Sequence, residues 1–137
     1  MYIRLFASNV PPCCNDSWSN TSPAGMALSD STNNNWTPNW GPALRIEFYP
    51  AAGVAGRFEY YTGTAVVPMT GSMSATTVSW QAGNLGIKGV LEVHGIDRFT
   101  SVRRNNQTLG SADFQYNAAT GVMTIPLSGA TSVQIRR

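Results

Sequence analysis

Charge is scarce in this sequence. Only 12% of its 137 residues are Asp, Glu, Lys or Arg, about half the share usual for a globular domain. A folded surface must still be polar, so neutral groups supply it: thirteen Ser, thirteen Thr and eleven Asn. The net charge of +2 and the pI near 8.7 fall short of a nucleic-acid footprint. The basic pairs, Arg103–Arg104 and Arg136–Arg137, have no interleaved aromatics, so no nucleic-acid partner is expected. Long apolar runs are also lacking. None nears the ~20 residues that cross a bilayer, and no membrane partner is expected. The opening Met1–Ala7 is too short for a signal-peptide core and reads as a first strand.

Cysteine is limited to the adjacent Cys13 and Cys14. A vicinal disulfide would close a strained ring and constrain almost no chain, so a reduced pair in a loop is the simpler reading. Helical periodicity is missing throughout. No segment offers apolar residues at i, i+3, i+4 and i+7 over three turns.

What is present is a polar, Pro-rich opening followed by period-two alternation. Residues 8–43 are aperiodic and dense in Pro, Asn, Ser and Thr, which indicates a long irregular arm or loop. It carries Trp18, Trp36 and Trp40, three of the four tryptophans. Disordered segments are poor in aromatics, so this one is expected to pack on the domain. From Leu44 onward Leu44, Ile46 and Phe48 share one face of a strand, and Arg45, Glu47 and Tyr49 the other. Further strands are expected at Arg57–Thr62, Ala65–Pro68, Thr76–Trp80, Leu85–Lys88, Val90–His94, Thr100–Arg104, Gln107–Leu109, Asp113–Tyr116, Val122–Leu127 and Ser132–Arg136. Asn105-Asn106 forms a turn, and Asn117–Gly121 a Gly-terminated hairpin loop. The expectation is one all-β domain over residues 1–137, an antiparallel sandwich or jelly-roll-like fold of about ten short strands.

Catalytic groups are few. Glu47 and Glu59 fall on neighbouring expected strands and could flank a glycosidic bond as two carboxylates. Each alternates with apolar neighbours, however, so both are placed on the solvent face, with cross-strand pairing to Arg45 and Arg57. His94, the sole histidine, has no recognisable partner. No Gly-x-Ser-x-Gly elbow, phosphate-cradling loop or metal-ligand spacing is present. Asp30–Asn35 reads as an Asn/Ser turn rather than a calcium loop. No enzyme activity, cofactor or metal is expected. The Asn-x-Ser/Thr sequons at Asn15, Asn20, Asn35 and Asn106 arise readily by chance in such a composition.

Aromatics on a polar background are the remaining signal. Trp18, Trp36 and Trp40, with Tyr61, offer flat faces beside amides and hydroxyls, a combination that suits sugar rings. The simpler reading is that the tryptophans cover the open end of the core, since burying such a ring is strongly favourable. Both readings stand at this point.

Leu44-Arg45-Ile46-Glu47-Phe48-Tyr49-Pro50 and Gly56-Arg57-Phe58-Glu59-Tyr60-Tyr61 resemble the opening of the C-terminal β-sandwich module of family 31 glycoside hydrolases. Val78-Ser79-Trp80, Asn84-Leu85-Gly86-Ile87, Ser101–Leu109 and Phe114–Ile125 resemble its later strands and hairpins. The resemblance covers about residues 44–137. It departs at Thr62-Gly63-Thr64, where the family has an acidic turn, and the first 43 residues match nothing in it. The family's catalytic carboxylates belong to a barrel that these residues do not include, so none carries over. The resemblance implies a non-catalytic accessory module with a carbohydrate partner. The alternative is a structural or assembly subunit with a protein partner, such as a phage or virus capsid decoration or tail protein, able to form a homo-oligomer. Either fits an extracellular or virion setting.

Overall fold

The alternating segments become twelve strands in a computed structural model that describes residues 2–7, 18–20, 43–61, 65–86 and 88–137. They are β1 (Tyr2–Ala7), β2 (Trp18–Asn20), β3 (Ala43–Tyr49), β4 (Ala55–Tyr61), β5 (Val66–Met73) and β6 (Thr77–Ala82). There follow β7 (Lys88–Val93), β8 (Ser101–Arg104), β9 (Gln107–Thr108), β10 (Gln115–Asn117), β11 (Val122–Leu127) and β12 (Thr131–Arg136). No helix occurs among the described residues. Cys13, Cys14, Asp30–Asn35, Trp36 and Trp40 lie outside the described residues.

Two six-stranded sheets result. Sheet A runs β10-β11-β7-β3-β1-β2, and sheet B runs β4-β5-β6-β12-β8-β9. The chain leaves sheet A after β3, builds the β4-β5-β6 meander of sheet B, and returns as β7 parallel to β3. The other pairings among the described strands are antiparallel. This is an all-β sandwich, as the alternation requires.

One set of alternate residues from each sheet meets in the middle. Sheet A contributes the register rows Ile46–Leu91–Ile125 and Phe48–Val93–Met123. Sheet B contributes Met69, Val78, Trp80, Val102, Val133 and Ile135. Each large apolar side chain so buried contributes about 1.5–3 kcal/mol. Phe48 reaches across to sheet B: a Cβ placed on Gly71 of β5 would lie 2.5 Å from its Cζ. Glycine at 71 is therefore what lets the ring lie against the opposite backbone. Phe99, Phe114 and Tyr116 pack edge-to-face at one end, with ring centroids 5.7 and 5.0 Å apart. The Tyr116 hydroxyl donates to the Ile96 carbonyl at 2.7 Å.

Local chemistry fixes the turns. Asn105 and Asn106 have φ of 49° and 65°, the left-handed pair of a type I′ hairpin between β8 and β9. The Asn105 side chain also accepts from the Ser132 N–H at 2.8 Å. Arg104 of sheet B donates to the Pro126 carbonyl of sheet A at 2.7 Å, pinning the two sheets together.

Some boundaries differ from the sequence reading. The short strand expected at Ala65–Pro68 continues to Met73, and the two strands expected around Gly89 are one, β7, with Leu85 buried in the loop before it. Proline normally ends a central strand because it cannot donate to the ladder. Pro68 is tolerated because β6 pairs only from Met69 onward, and Pro126 because β10 reaches no further than Thr124.

Candidate functional site

Oppositely charged side chains meet on the outer face of sheet A. Glu47 and Glu92 stand directly abreast on the parallel strands β3 and β7. Their carboxylates and a ring nitrogen of His94 lie within 4.8 Å of one another. Arg45 approaches Glu47 at 3.3 Å, and the Tyr49 hydroxyl donates to Glu47 at 2.9 Å. Tyr49 stacks on the His94 ring with centroids 4.1 Å apart and planes at 15°. His94 Nε2 lies 3.9 Å from Glu92. Two oxygens and a nitrogen are a donor set that zinc accepts, but zinc bonds of ~2.1 Å hold ligands at most ~4.2 Å apart. The side chains would have to close in, and the Arg45 guanidinium already brings positive charge to Glu47. The arrangement works as an ionic network that makes two neighbouring carboxylates compatible.

This corrects the sequence reading in three respects. Glu47 is buried, not solvent-facing. Glu47 and Glu59 belong to different sheets, so they do not form a carboxylate pair, and Arg45 meets Glu47 in its own strand rather than across strands. His94 does have partners. The missed signal was register: Glu47 and Glu92 become neighbours only through the parallel crossover, which no local pattern announces.

The outer face of sheet B is different in kind. A shallow groove of about 850 Å³ crosses it. Two register rows pave the floor, Arg57–Thr70–Gln81–Ser132 and Ser72–Ser79–Gln134–Arg103. These are the outward positions of strands whose alternate residues fill the core. Small hydroxyl side chains leave the depression, and Arg57 and Arg103 stand toward its two ends. Arg103 is held by donating to the Asn106 carbonyl at 2.6 Å. Among the described lining residues there is no carboxylate. The Trp80 ring belongs to the core, so the floor offers hydrogen-bonding groups rather than a stacking platform.

No protein-family model and no curated protein matches the sequence. Solved structures do match. The fold is similar to part of a GH31 dextranase from Flavobacterium johnsoniae complexed with glucose (TM-score 0.56, 10% identity, 69% of this chain and 17% of that one). A mutant of the same dextranase complexed with isomaltotriose gives TM-score 0.54 at 12% identity, over 69% of this chain and 17% of that one. An alpha-L-rhamnosidase from Dictyoglumus thermophilum gives 0.53 at 15% identity, over 68% and 11%. At these identities the likeness shows the fold alone. Its neighbours are carbohydrate-active enzymes, and this chain spans 17% or less of their length.

Of the aromatic candidates, Trp18 begins the edge strand β2 opposite Leu5, in the register row of Ile46, Leu91 and Ile125. Tyr61 ends β4 opposite Val66. Trp36 and Trp40 fall outside the described residues. Neither Trp18 nor Tyr61 is a position of the two register rows of the groove floor. Sequence reasoning missed the groove because five strands, distant in sequence, each supply part of it.

Proposed function

We propose that this chain is a non-catalytic β-sandwich module that contacts carbohydrate, comparable to the C-terminal accessory sandwich of family 31 glycoside hydrolases. The observation that carries this is the sheet B groove, a long shallow floor of hydroxyl, amide and guanidinium groups. Sugar hydroxyls both donate and accept, and Ser, Thr and Gln side chains answer in both roles. Arg adds a planar fork of donors. Glycosidic hydrolysis needs two carboxylates placed about the scissile bond, and the described groove lining has none. The carbohydrate-active fold neighbours support the same reading. Trp18, Trp36, Trp40 and Tyr61 are proposed to add aromatic sugar contacts.

The test is affinity electrophoresis and fluorescence titration with neutral and acidic polysaccharides, using the native chain and Ser79→Trp, which fills the groove from an outward position. Binding abolished by Ser79→Trp with unchanged thermal unfolding supports the reading. No retardation by any polysaccharide sinks it. Trp36→Ala and Trp40→Ala in the same titration assign the aromatic contacts. Release of reducing sugar that disappears in Glu92→Gln would overturn the non-catalytic part.

A further inference from the structure

We infer that a second cleft, at one side of the sandwich, binds a neutral sugar ring through its apolar face. This rests on the carbohydrate reading above and adds a site separate from the groove. The cleft measures about 430 Å³, within the roughly 300–1,000 Å³ of small-molecule sites. It draws on β8 and β9 at the edge of sheet B and on Tyr116 of β10 at the edge of sheet A. Val102 of β8 lines it, whereas the next residue, Arg103, lines the groove, so the two sites use opposite faces of that strand. The half-buried Phe99, Leu109, Phe114 and Tyr116, with Val102 buried behind them, form its apolar part. Every other lining residue carries a hydroxyl (Thr100, Ser101, Thr108 and Ser111), and no lining residue is charged.

The rings are held ready for a ligand. Phe99 meets Phe114 and Tyr116 at 79° in both cases. Neither pair stacks flat, which leaves ring face that its neighbour does not cover. The Tyr116 hydroxyl is tied to the Ile96 carbonyl at 2.7 Å. The turn before Phe114 is closed from both ends, Gly110 N–H donating to the Asp113 carboxylate at 2.9 Å and Asp113 N–H to the Gly110 carbonyl at 3.0 Å. The Leu109 N–H donates to the Val102 carbonyl at 2.8 Å, fixing the opposite wall. A wall ordered in advance lowers the entropy cost of binding. The mixed lining selects the ligand. A pyranose ring has an apolar C–H face for the aromatic rings and hydroxyls at its edge for the Ser and Thr positions. A purely apolar ligand would dry those hydroxyls without pairing them, and an acidic one would lose hydration with no cation in the lining to replace it.

The experiment follows the aromatic ring resonances of Phe99, Phe114 and Tyr116 by NMR while glucose, galactose, rhamnose, glucuronate or cyclohexanol is added. The proteins are the native chain, Phe114→Leu, Ser111→Arg and the groove variant Ser79→Trp. Phe114→Leu keeps apolar bulk and removes the ring, and Ser111→Arg narrows the cleft from an exposed turn position without touching the ring packing. The expected result is a saturable shift of the three rings with at least one neutral sugar, at a Kd of about the millimolar level for so small a ligand. Affinity should fall roughly threefold to tenfold in Phe114→Leu, the share of an aromatic contact beyond its area, and should also fall in Ser111→Arg. Ring shifts that persist in Ser79→Trp place the sugar in the cleft rather than the groove, and shifts lost there overturn the cleft as the site. Full affinity in both cleft variants overturns it as well. Glucuronate bound as well as the neutral sugars overturns the neutral class, and cyclohexanol bound as well as any sugar overturns the sugar class. No ring response to any sugar, with polysaccharide binding still abolished by Ser79→Trp, overturns the cleft and leaves the groove reading standing. No sugar response and no polysaccharide binding overturn both.

Discussion

The two outer faces of this sandwich follow the same alternation and put it to opposite uses. On sheet A the outward positions of β3 and β7 hold Arg45, Glu47, Tyr49 and Glu92, with His94 just after β7; these side chains engage one another, and Glu47 is buried. On sheet B the outward positions of β5, β6 and β12 hold Thr, Ser and Gln with little mutual engagement, and they form an open groove. One face spends its polar groups internally and the other presents them outward. A strand's polar face is thus structural or available according to what stands abreast of it, which is a property of register and not of the strand.

Substitutions can break this contrast. The largest effect is expected beneath the groove, at Gly71→Ala. Its Cβ would overlap the Phe48 ring, an overpacking cost of about 1–3 kcal/mol that should appear as a lower denaturation midpoint. Adding Phe48→Leu in the same chain should recover part of that loss, and failure to do so would mean the strain lies elsewhere.

Next comes Glu47→Gln on sheet A. It removes a buried carboxylate that Arg45 and Tyr49 both address. A loss of about 1–2 kcal/mol is expected in urea unfolding, allowing for the half-exposed Arg45. Unchanged stability would show that the face A network is incidental.

A smaller effect is tied to pH. Arg137 donates to Asp97 at 2.7 Å, and that hydrogen bond holds the Asp97 carboxyl below its ordinary value of 3.8. A carboxyl with a lowered pKa in the folded state stabilises it above the ordinary value and loses that contribution as pH falls through the lowered one. Arg137→Gln should therefore lower the melting temperature slightly at neutral pH. The difference from the native chain should shrink as pH falls through the lowered value and vanish once the carboxyl is protonated in both states.

The smallest stability effects belong to the groove. Gln134→Ala and Thr70→Ser should stay within about ±0.5 kcal/mol in thermal unfolding, as expected for surface substitutions away from structural networks. If either costs as much as Glu47→Gln, the contrast between the faces fails.

Much of the fold was legible because it is written locally. The alternation from Leu44 to Tyr49 gave a strand with its core face, and Asn105-Asn106 gave a turn that the positive φ values explain. The extension of β5 past Pro68 was not legible, since it depends on where β6 starts to pair. The site was less legible than the fold for the same reason. Glu47 and Glu92 become neighbours through a crossover, and the groove draws on β4, β5, β6, β12 and β8. The tryptophans drew attention as single residues of conspicuous chemistry, whereas the groove floor consists of residues that are individually unremarked.

The division of labour along β5, β6 and β12 has a consequence for how such a surface could change. Positions 70, 72, 79, 81, 132 and 134 point away from the core and form one contiguous panel. Variation there can proceed as a set while Gly71, Trp80 and Val133 keep the scaffold constant. A combinatorial library confined to these six sites should stay folded across most of its members. The same backbone could then be retargeted from one polymer to another by selection on the panel alone.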